Sequence, residues 1–572
     1  MKIANLISVF CVIILLGSTI FPIISGIEIE PEKLEDPIQQ GKIIDLEPLD
    51  DRPSYFSWRS ADLDENGHGI PGDTDFSTPV KNQYGYPSCE SFALTSALEA
   101  LVQIEVGFPF GCDLSEAHLF FFSGGVIDWG SYPENDTEFL KEYGMPDENC
   151  WPYPREVHQY PLNTTSPDWQ NRTVKITDWY YLPEDPEAIK TALITNGPVP
   201  TYFLVYDDFL GYKDGIYQHR WGSVRGPHYV CIMGYNDDEE YWIVKNSWGT
   251  GLQDEGWFNI RYGECGIEKK SFYLTGVYGH FPIAYVDDNN TAGPWNGTKE
   301  RPYQTIQDAI NKVYPGYTIY VMNGTYNENL IVNKTVRIDG EDRTNTIIDG
   351  GGFGDVITIS VPGVRISGFT VQNSGEQPFN AGIKTLTLKS NTTICDNIIQ
   401  NNYIGLYLNY AYESAWNIVE DNIIQSNIEG VYVHWANNNK ITGNTIRMNE
   451  EVGLEMQCCE FSKIKGNIIS DNGECGIYLR GSSNSNIING KNTIRNHSIG
   501  IKVSESNKNQ INNNNFVNNS VQAYVYNAFL TRWKNNYWDN WPRILPKTIK
   551  GHIGHKKIPY VNFDWFPKRN PL

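Results

Sequence analysis

Two kinds of hydrophobic patterning divide this chain. In its first half, apolar residues fall at helical spacing after Cys89 (Phe92, Leu94, Leu98, Leu101). A second helix is predicted after Ser115, a suitable N-cap for the run Leu119 to Phe122. Strands follow, one opening at Asn196-Gly197-Pro198-Val199 and others around 228–246. Near residue 280 the composition changes: asparagine and isoleucine rise, and a short unit begins to repeat. Asn397-Ile398-Ile399 … Gly405-Leu406-Tyr407-Leu408 recurs as Asn422 … Gly430-Val431-Tyr432-Val433, then as Asn444 … Gly453, Asn467 … Gly476 and Asn492 … Gly500, with a degenerate copy at Asn515 … Ala523. The glycines are 25, 23, 23 and 24 residues apart. Each copy alternates apolar and polar positions, and a single copy cannot bury its own apolar face, so the copies must stack. The repeated asparagines (397, 422, 444, 467, 492, 515) are expected to form a ladder at one corner.

With 572 residues the chain is several domains. A 40% apolar and 20% charged composition is globular rather than disordered. A net charge of −23 with no basic stripe argues against nucleic acid as a partner. Met1-Lys2 and the apolar run from Ile3 to about Ile24 read as a signal peptide over 1–26, with an uncleaved membrane anchor as the alternative. Residues 27–52 are acidic and are read either as a solvated leader or as a short propeptide. The turn-rich, acidic stretch 62–75 is read as a surface loop, since its spacing does not match an EF-hand. The ten cysteines contain no C-x-x-C pair, so a zinc ribbon is unexpected, and neither metal nor cofactor is implied. Cys112 and Cys150 are the pair best suited to a disulfide, and Cys231 is expected as a buried thiol. The sequons at Asn163, Asn296 and Asn333 fit surface glycosylation in a secreted chain.

The candidate chemistry lies in four ordered parts. Cys89 opens a helix, where unpaired N–H groups favour a thiolate. Gln83 stands six residues earlier, placed to donate to an oxyanion. His228 and Asn246 follow the cysteine by 139 and 157 residues, the base and its orienting partner. Gln83, Cys89, His228 and Asn246, with Asn246-Ser247-Trp248-Gly249, Gly256-Trp257-Phe258 and Leu114-Ser115-Glu116, resemble the papain-like cysteine peptidases. The resemblance implies an α+β, two-lobed domain over 53–280: a helical lobe carrying Cys89, a sheet lobe carrying His228 and Asn246, and a cleft between them. It implies substrate backbone laid along a glycine edge, matched here to Gly124 and Gly125, and Trp248 shielding the His228–Asn246 bond. Three departures stand out. Tyr86 replaces a bridging cysteine, Pro87 a glycine, and Glu90 a tryptophan. A carboxylate at 90 is expected to oppose the thiolate by like-charge repulsion.

Residues 281–572 resemble the right-handed parallel β-helices of the pectate-lyase-like superfamily. The Tyr303–Ile310 segment reads as the helix that caps one end, and the aromatic tail after Trp533 as the cap of the other. The outward stripe Tyr407, Tyr432, Tyr478 leaves two readings open: a glycan-binding face, or simple stacking between strands.

The sequence thus describes a multidomain protein, secreted or at the cell surface: a thiol endopeptidase acting on protein or peptide, followed by an all-β helix that binds a surface glycan or protein. Two rivals remain: a weakened peptidase fold serving in binding or adhesion, and a carbohydrate-active β-helix.

Overall fold

A computed structural model describes residues 43–572 apart from 45, 50, 128, 156–168, 387–389, 412–414 and 542–545. The signal peptide, most of the acidic leader and Asn163 lie outside the described residues. The chain divides into two compact units after Pro282.

The first unit is α+β. The helix Cys89–Val106 buries Phe92, Leu94, Leu98 and Val102 and ends at Gly107, whose φ of 92° allows its N–H to close the last turn on Gln103 and Ile104. Ser115 caps the next helix, Glu116–Phe122, by accepting from the His118 N–H. A third helix spans Pro133–Glu142. The sheet is built on one long strand, Val224–Asn236, paired antiparallel with Val199–Tyr206 on one side and Tyr241–Lys245 on the other. Trp257–Arg261 extends it. The Cys89 helix packs against the long strand, which carries His228. The stretch read as a surface loop contains a β-hairpin: Ala61–Leu63 pairs antiparallel with Gly69–Pro71, and at its turn Asp64 accepts from the Asn66 and His68 N–H groups at 2.8 Å. Cys112 is a buried thiol, so the bridge to Cys150 is not formed; Cys231 is likewise a buried thiol.

The second unit is a parallel β-solenoid. Each coil supplies three strands, for example Ile418–Glu420, Ile423–Gln425 and Glu429–Ala436, and each strand pairs in parallel with its equivalent one coil later. Ile399, Ile424, Ile446, Ile469 and Ile494 stack in one fully buried column. The repeated glycines answer a close approach: a Cβ at Gly405 or Gly430 would stand 2.6 or 2.4 Å from the next coil's Gly430 or Gly453 carbonyl oxygen. The helix Ile306–Lys312 buries Ile306, Ala309 and Ile310 against the first coils. At the other end, Trp538 stacks on Phe516 at 4.4 Å, and the antiparallel pair Lys547–Ile553 and Ile558–Asp564 closes the stack.

The asparagine ladder runs 397, 422, 444, 467, 492, 514 and 536. Asp564 ends it by accepting from Asn536 Nδ2 at 3.0 Å. The expected member Asn515 is displaced by one residue: it begins the strand Asn515–Val517, and Asn514 takes the corner. A second ladder, not foreseen, joins 402, 427, 449 and 472 and continues through His497 to Asn519. Each ladder amide also satisfies backbone groups of its own and neighbouring coils. Asn444 accepts from the Asn422 N–H at 3.1 Å and donates to the Val419 carbonyl at 2.8 Å.

Asn444→Ala strips partners from buried groups on two coils, each costing about 1–3 kcal/mol. Urea denaturation of the full chain should show that loss in the solenoid transition. Asn333→Ala, at an exposed position, should change it by no more than about 0.5 kcal/mol.

Candidate active site

The segment before Cys89 is anchored from below. Lys81 Nζ lies 2.8 Å from Glu99, 2.7 Å from Asp113 and 2.8 Å from Glu116, and these carboxylates hold its ammonium well above its ordinary value despite burial. Its carbonyl accepts from the Gly249 N–H at 3.0 Å. From that anchor the chain runs to Gln83, whose N–H donates to the Ser247 carbonyl at 2.8 Å. Ser247 Oγ donates to Gln83 Oε1 at 2.7 Å, which fixes the amide's orientation. Gln83 Nε2 then donates to the Tyr86 carbonyl at 2.8 Å and keeps its second hydrogen for another acceptor.

Ser88 does not cap the Cys89 helix with its side chain. Its hydroxyl instead meets the Tyr153 hydroxyl at 2.6 Å, leaving the helix's first N–H groups at the Cys89 end. Tyr86 fills the place of the missing bridge with a buried ring, edge-on to Tyr153 at 5.8 Å and to Phe121 at 6.1 Å.

On the sheet side, His228 Nε2 meets Asn246 Oδ1 at 2.9 Å. Asn246 Oδ1 also accepts from the Ser247 N–H at 2.8 Å, so its amide oxygen faces the ring and His228 Nε2 is the donor. That tautomer leaves Nδ1 with the lone pair. Trp248 stacks on the imidazole at 4.6 Å. Burial pushes the His228 imidazole down to about 4, against the opposing bond from Asn246, so the ring is neutral at ordinary pH.

Glu90 departs from its expected role. Burial pushes its carboxyl up to about 8, with Asp136 adding to the shift. Near neutrality it is therefore mostly protonated rather than a fixed negative charge. Cys89 Sγ lies 3.4 Å from Glu90 Oε2, in donor geometry.

Of the glycines matched to a substrate edge, Gly124 has open space where a Cβ would stand, and Gly125 packs against Phe120. Gly130, which attracted no attention beside the Gly-Gly pair, adjoins the nucleophile loop: its Cβ would lie 2.9 Å from the Pro87 carbonyl oxygen. Ser247 was also passed over, although it sits inside the motif that drew attention to Asn246. In the solenoid, Tyr407 and Tyr432 are only 6% and 5% exposed and stack on each other at 5.0 Å, so neither offers a free face. Tyr478 is covered by Lys502 Nζ at 4.2 Å. It belongs with Gln457, Arg480, Lys502, Tyr524 and Tyr526 to the lining of a cavity of about 680 Å³.

The family model described as "Papain family cysteine protease" matches residues 72–275, and that described as "Periplasmic copper-binding protein (NosD)" matches residues 311–551. Cathepsin B-like CP3 of Giardia intestinalis is 47% identical over 91 residues, 15% of this chain and 30% of that protein. Cathepsin B-like CP2 of the same organism is 29% identical over 244 residues, 39% of this chain and 74% of that protein. The chain thus spans under a third of the first relative's length. A solved structure, procathepsin B S9 from Trypanosoma congolense, aligns with a TM-score of 0.36 at 22% identity, covering 42% of this chain and 84% of that one. Among the described residues no group of three or more His, Cys, Asp or Glu side chains is placed to hold a metal ion. No helix among them is long and apolar enough to cross a membrane.

Three carboxyls, Glu116 and Asp136 buried and Glu90 half-buried, set a pH dependence. Glu90, Glu116 and Asp136 are pushed up to about 8, 7 and 6, chiefly by burial. Between the ordinary carboxylate range and pH 8 the folded chain therefore binds more protons than the unfolded chain, and stability falls as pH rises. His228 and His118, pushed by burial down to about 4 and about 3, act oppositely, and their effect fades as pH rises through the ordinary imidazole value of 6.5. From pH 6.5 to 8.5 the carboxyl effect outweighs the fading imidazole one, and the buried thiols, pushed up from 9, act in the same direction as the carboxyls. The denaturant midpoint of this unit should fall across that interval, and a rise would contradict the assignment.

Proposed function

Because residues 72–275 form a papain-family cysteine protease domain, followed in the chain by a parallel β-solenoid, we propose that the protein hydrolyses peptide bonds with Cys89 as nucleophile. The observation that carries this reading is the pair of bonds on Asn246 Oδ1, which hold His228 in the tautomer a base needs. Cys89 Sγ bonds to the scissile carbonyl carbon as its proton passes to His228. The carbonyl oxygen becomes an oxyanion, met by Gln83 Nε2 and the Cys89 backbone N–H. His228 returns the proton to the leaving amine as the C–N bond breaks. Water, deprotonated by His228, then releases the acyl group from sulfur. Asn246 keeps the ring aligned throughout, and Trp248 keeps water from that bond. We place substrate backbone along Gly130-Ser131-Tyr132, beside the nucleophile loop, instead of Gly124 and Gly125.

The chain acts outside the cytoplasm, as the N-terminal Met1–Gly26 segment and the exposed sequons at Asn296 and Asn333 support. Its solenoid serves as a binding module for a surface glycan or protein. The better face for that is the cavity lined by Tyr478, Arg480, Lys502 and Tyr524, since Tyr407 and Tyr432 are buried.

Hydrolysis of a fluorogenic peptide library tests the reading. Cys89→Ala and His228→Ala should abolish turnover. Gln83→Ala should lower kcat by about 10²–10³, the usual loss for one oxyanion donor. Turnover that survives Cys89→Ala would overturn the proposal.

A further inference from the structure

We propose that Glu90 is a further residue of this machinery: its carboxyl group engages the Cys89 sulfur directly and decides when the thiol hands its proton to His228. The inference rests on the reading of Cys89 as nucleophile.

The geometry is local and closed. Glu90 Oε2 lies 3.4 Å from Cys89 Sγ. Above it the chain turns at Gly130 with φ of 90°, and a Cβ there would stand 3.7 and 3.8 Å from the two carboxylate oxygens. That fold of backbone keeps Glu90 turned toward the sulfur. Each packed element presents its own titratable groups. The 133–142 helix brings Asp136, held by the Ser91, Ser123 and Ser131 hydroxyls, and Glu134, which accepts from the Tyr181 hydroxyl at 2.7 Å. The long strand brings the Tyr229 phenol, which feels both Glu90 and Cys89, beside His228. The Tyr153 phenol feels Cys89 as well. Among the described residues no cation pairs with Glu90.

A carboxyl in these surroundings has two useful states. Ionised, it accepts the S–H hydrogen and keeps it on sulfur, and any thiolate formed beside it meets a like charge. Protonated, it donates its O–H to the sulfur, which favours the thiolate, and the thiol proton goes to His228 while Glu90 keeps its own. Burial with no cation puts the exchange between these states near pH 8, so the proton on Glu90 is present on the acidic side of that point. The first unit is strongly acidic, with 43 Asp and Glu against 18 Lys and Arg in residues 1–282, while residues 283–572 hold 25 against 27. That excess of negative charge further favours the proton on Glu90.

The test is alkylation of Cys89 by iodoacetamide, a neutral reagent, in the full chain from pH 6 to pH 9, for wild type and Glu90→Gln. The amide keeps the size and hydrogen bonding of the protonated acid but cannot ionise. The rate ratio of Glu90→Gln to wild type should rise about tenfold across the range, the effect of roughly one pK unit of like-charge coupling. A ratio constant with pH would overturn the proposal. If Glu90→Gln does not fold, the wild type suffices. Carbon-13 NMR of the Glu90 carboxyl, before and after Cys89 is capped with methyl methanethiosulfonate, should show its titration midpoint move. An unmoved midpoint would again overturn the proposal. Peptide turnover is read alongside: its absence with a pH-dependent ratio defeats the peptidase reading alone, and its presence with a flat ratio defeats the role of Glu90 alone.

Discussion

The bond from Ser247 Oγ to Gln83 Oε1 ties together the two chain segments that the proposed chemistry requires. Cys89 and Gln83 belong to the helical side, His228 and Asn246 to the sheet, and more than a hundred residues separate them. Ser247 joins both through three bonds: its carbonyl to the Gln83 N–H, its hydroxyl to the Gln83 amide, and its N–H to Asn246 Oδ1. The orientation of the Gln83 amide and the tautomer of His228 are therefore set by one residue. The bridge between Asn82 and Trp248 and the Gly249–Lys81 bond extend the same seam, and the ion cluster around Lys81 holds it from beneath. Without that seam a buried neutral imidazole and a helix-end cysteine would be two unrelated features.

The solenoid solves its own burial problem by repetition. Its core columns are aliphatic and its corners are amides, so each coil uses the next to satisfy groups that a lone coil would leave unpaired. The first ladder ends on Asp564, which accepts from Asn536 and from the Trp538 indole at 3.1 Å, and the second on Gln522, whose Oε1 accepts from Asn519 Nδ2 at 2.7 Å.

Much of this was legible in the residues. The 23- to 25-residue glycine spacing demanded stacked coils, and Cys89, His228 and Asn246 were marked by their order and by the segments around them. What was not legible depended on atoms rather than on pattern. Asn514 and Asn515 are adjacent and chemically identical, and only the start of the following strand decides which one turns the corner. Of the two readings open for the outward tyrosines, Tyr407 and Tyr432 follow the stacking one, a choice that needs the neighbouring coils in place. That Gly130 adjoins the nucleophile loop depends on the fold of the chain around it, which spacing alone does not give. Glu90 reads from the sequence as a permanent charge because a sequence carries no burial, and burial beside Asp136 raises its carboxyl.

In the proposed mechanism Cys89 is the reacting thiol among the described cysteines. Burial pushes Cys231, Cys265, Cys459 and Cys475 up to about 12 and Cys395 to about 11, which leaves them poor nucleophiles. The direct measurement is labelling of the native chain with an epoxysuccinyl peptide, followed by mass-spectrometric mapping of every cysteine. The account predicts a single adduct, on Cys89, lost in His228→Ala. An adduct spread over several cysteines, or one on Cys89 indifferent to His228, would contradict it.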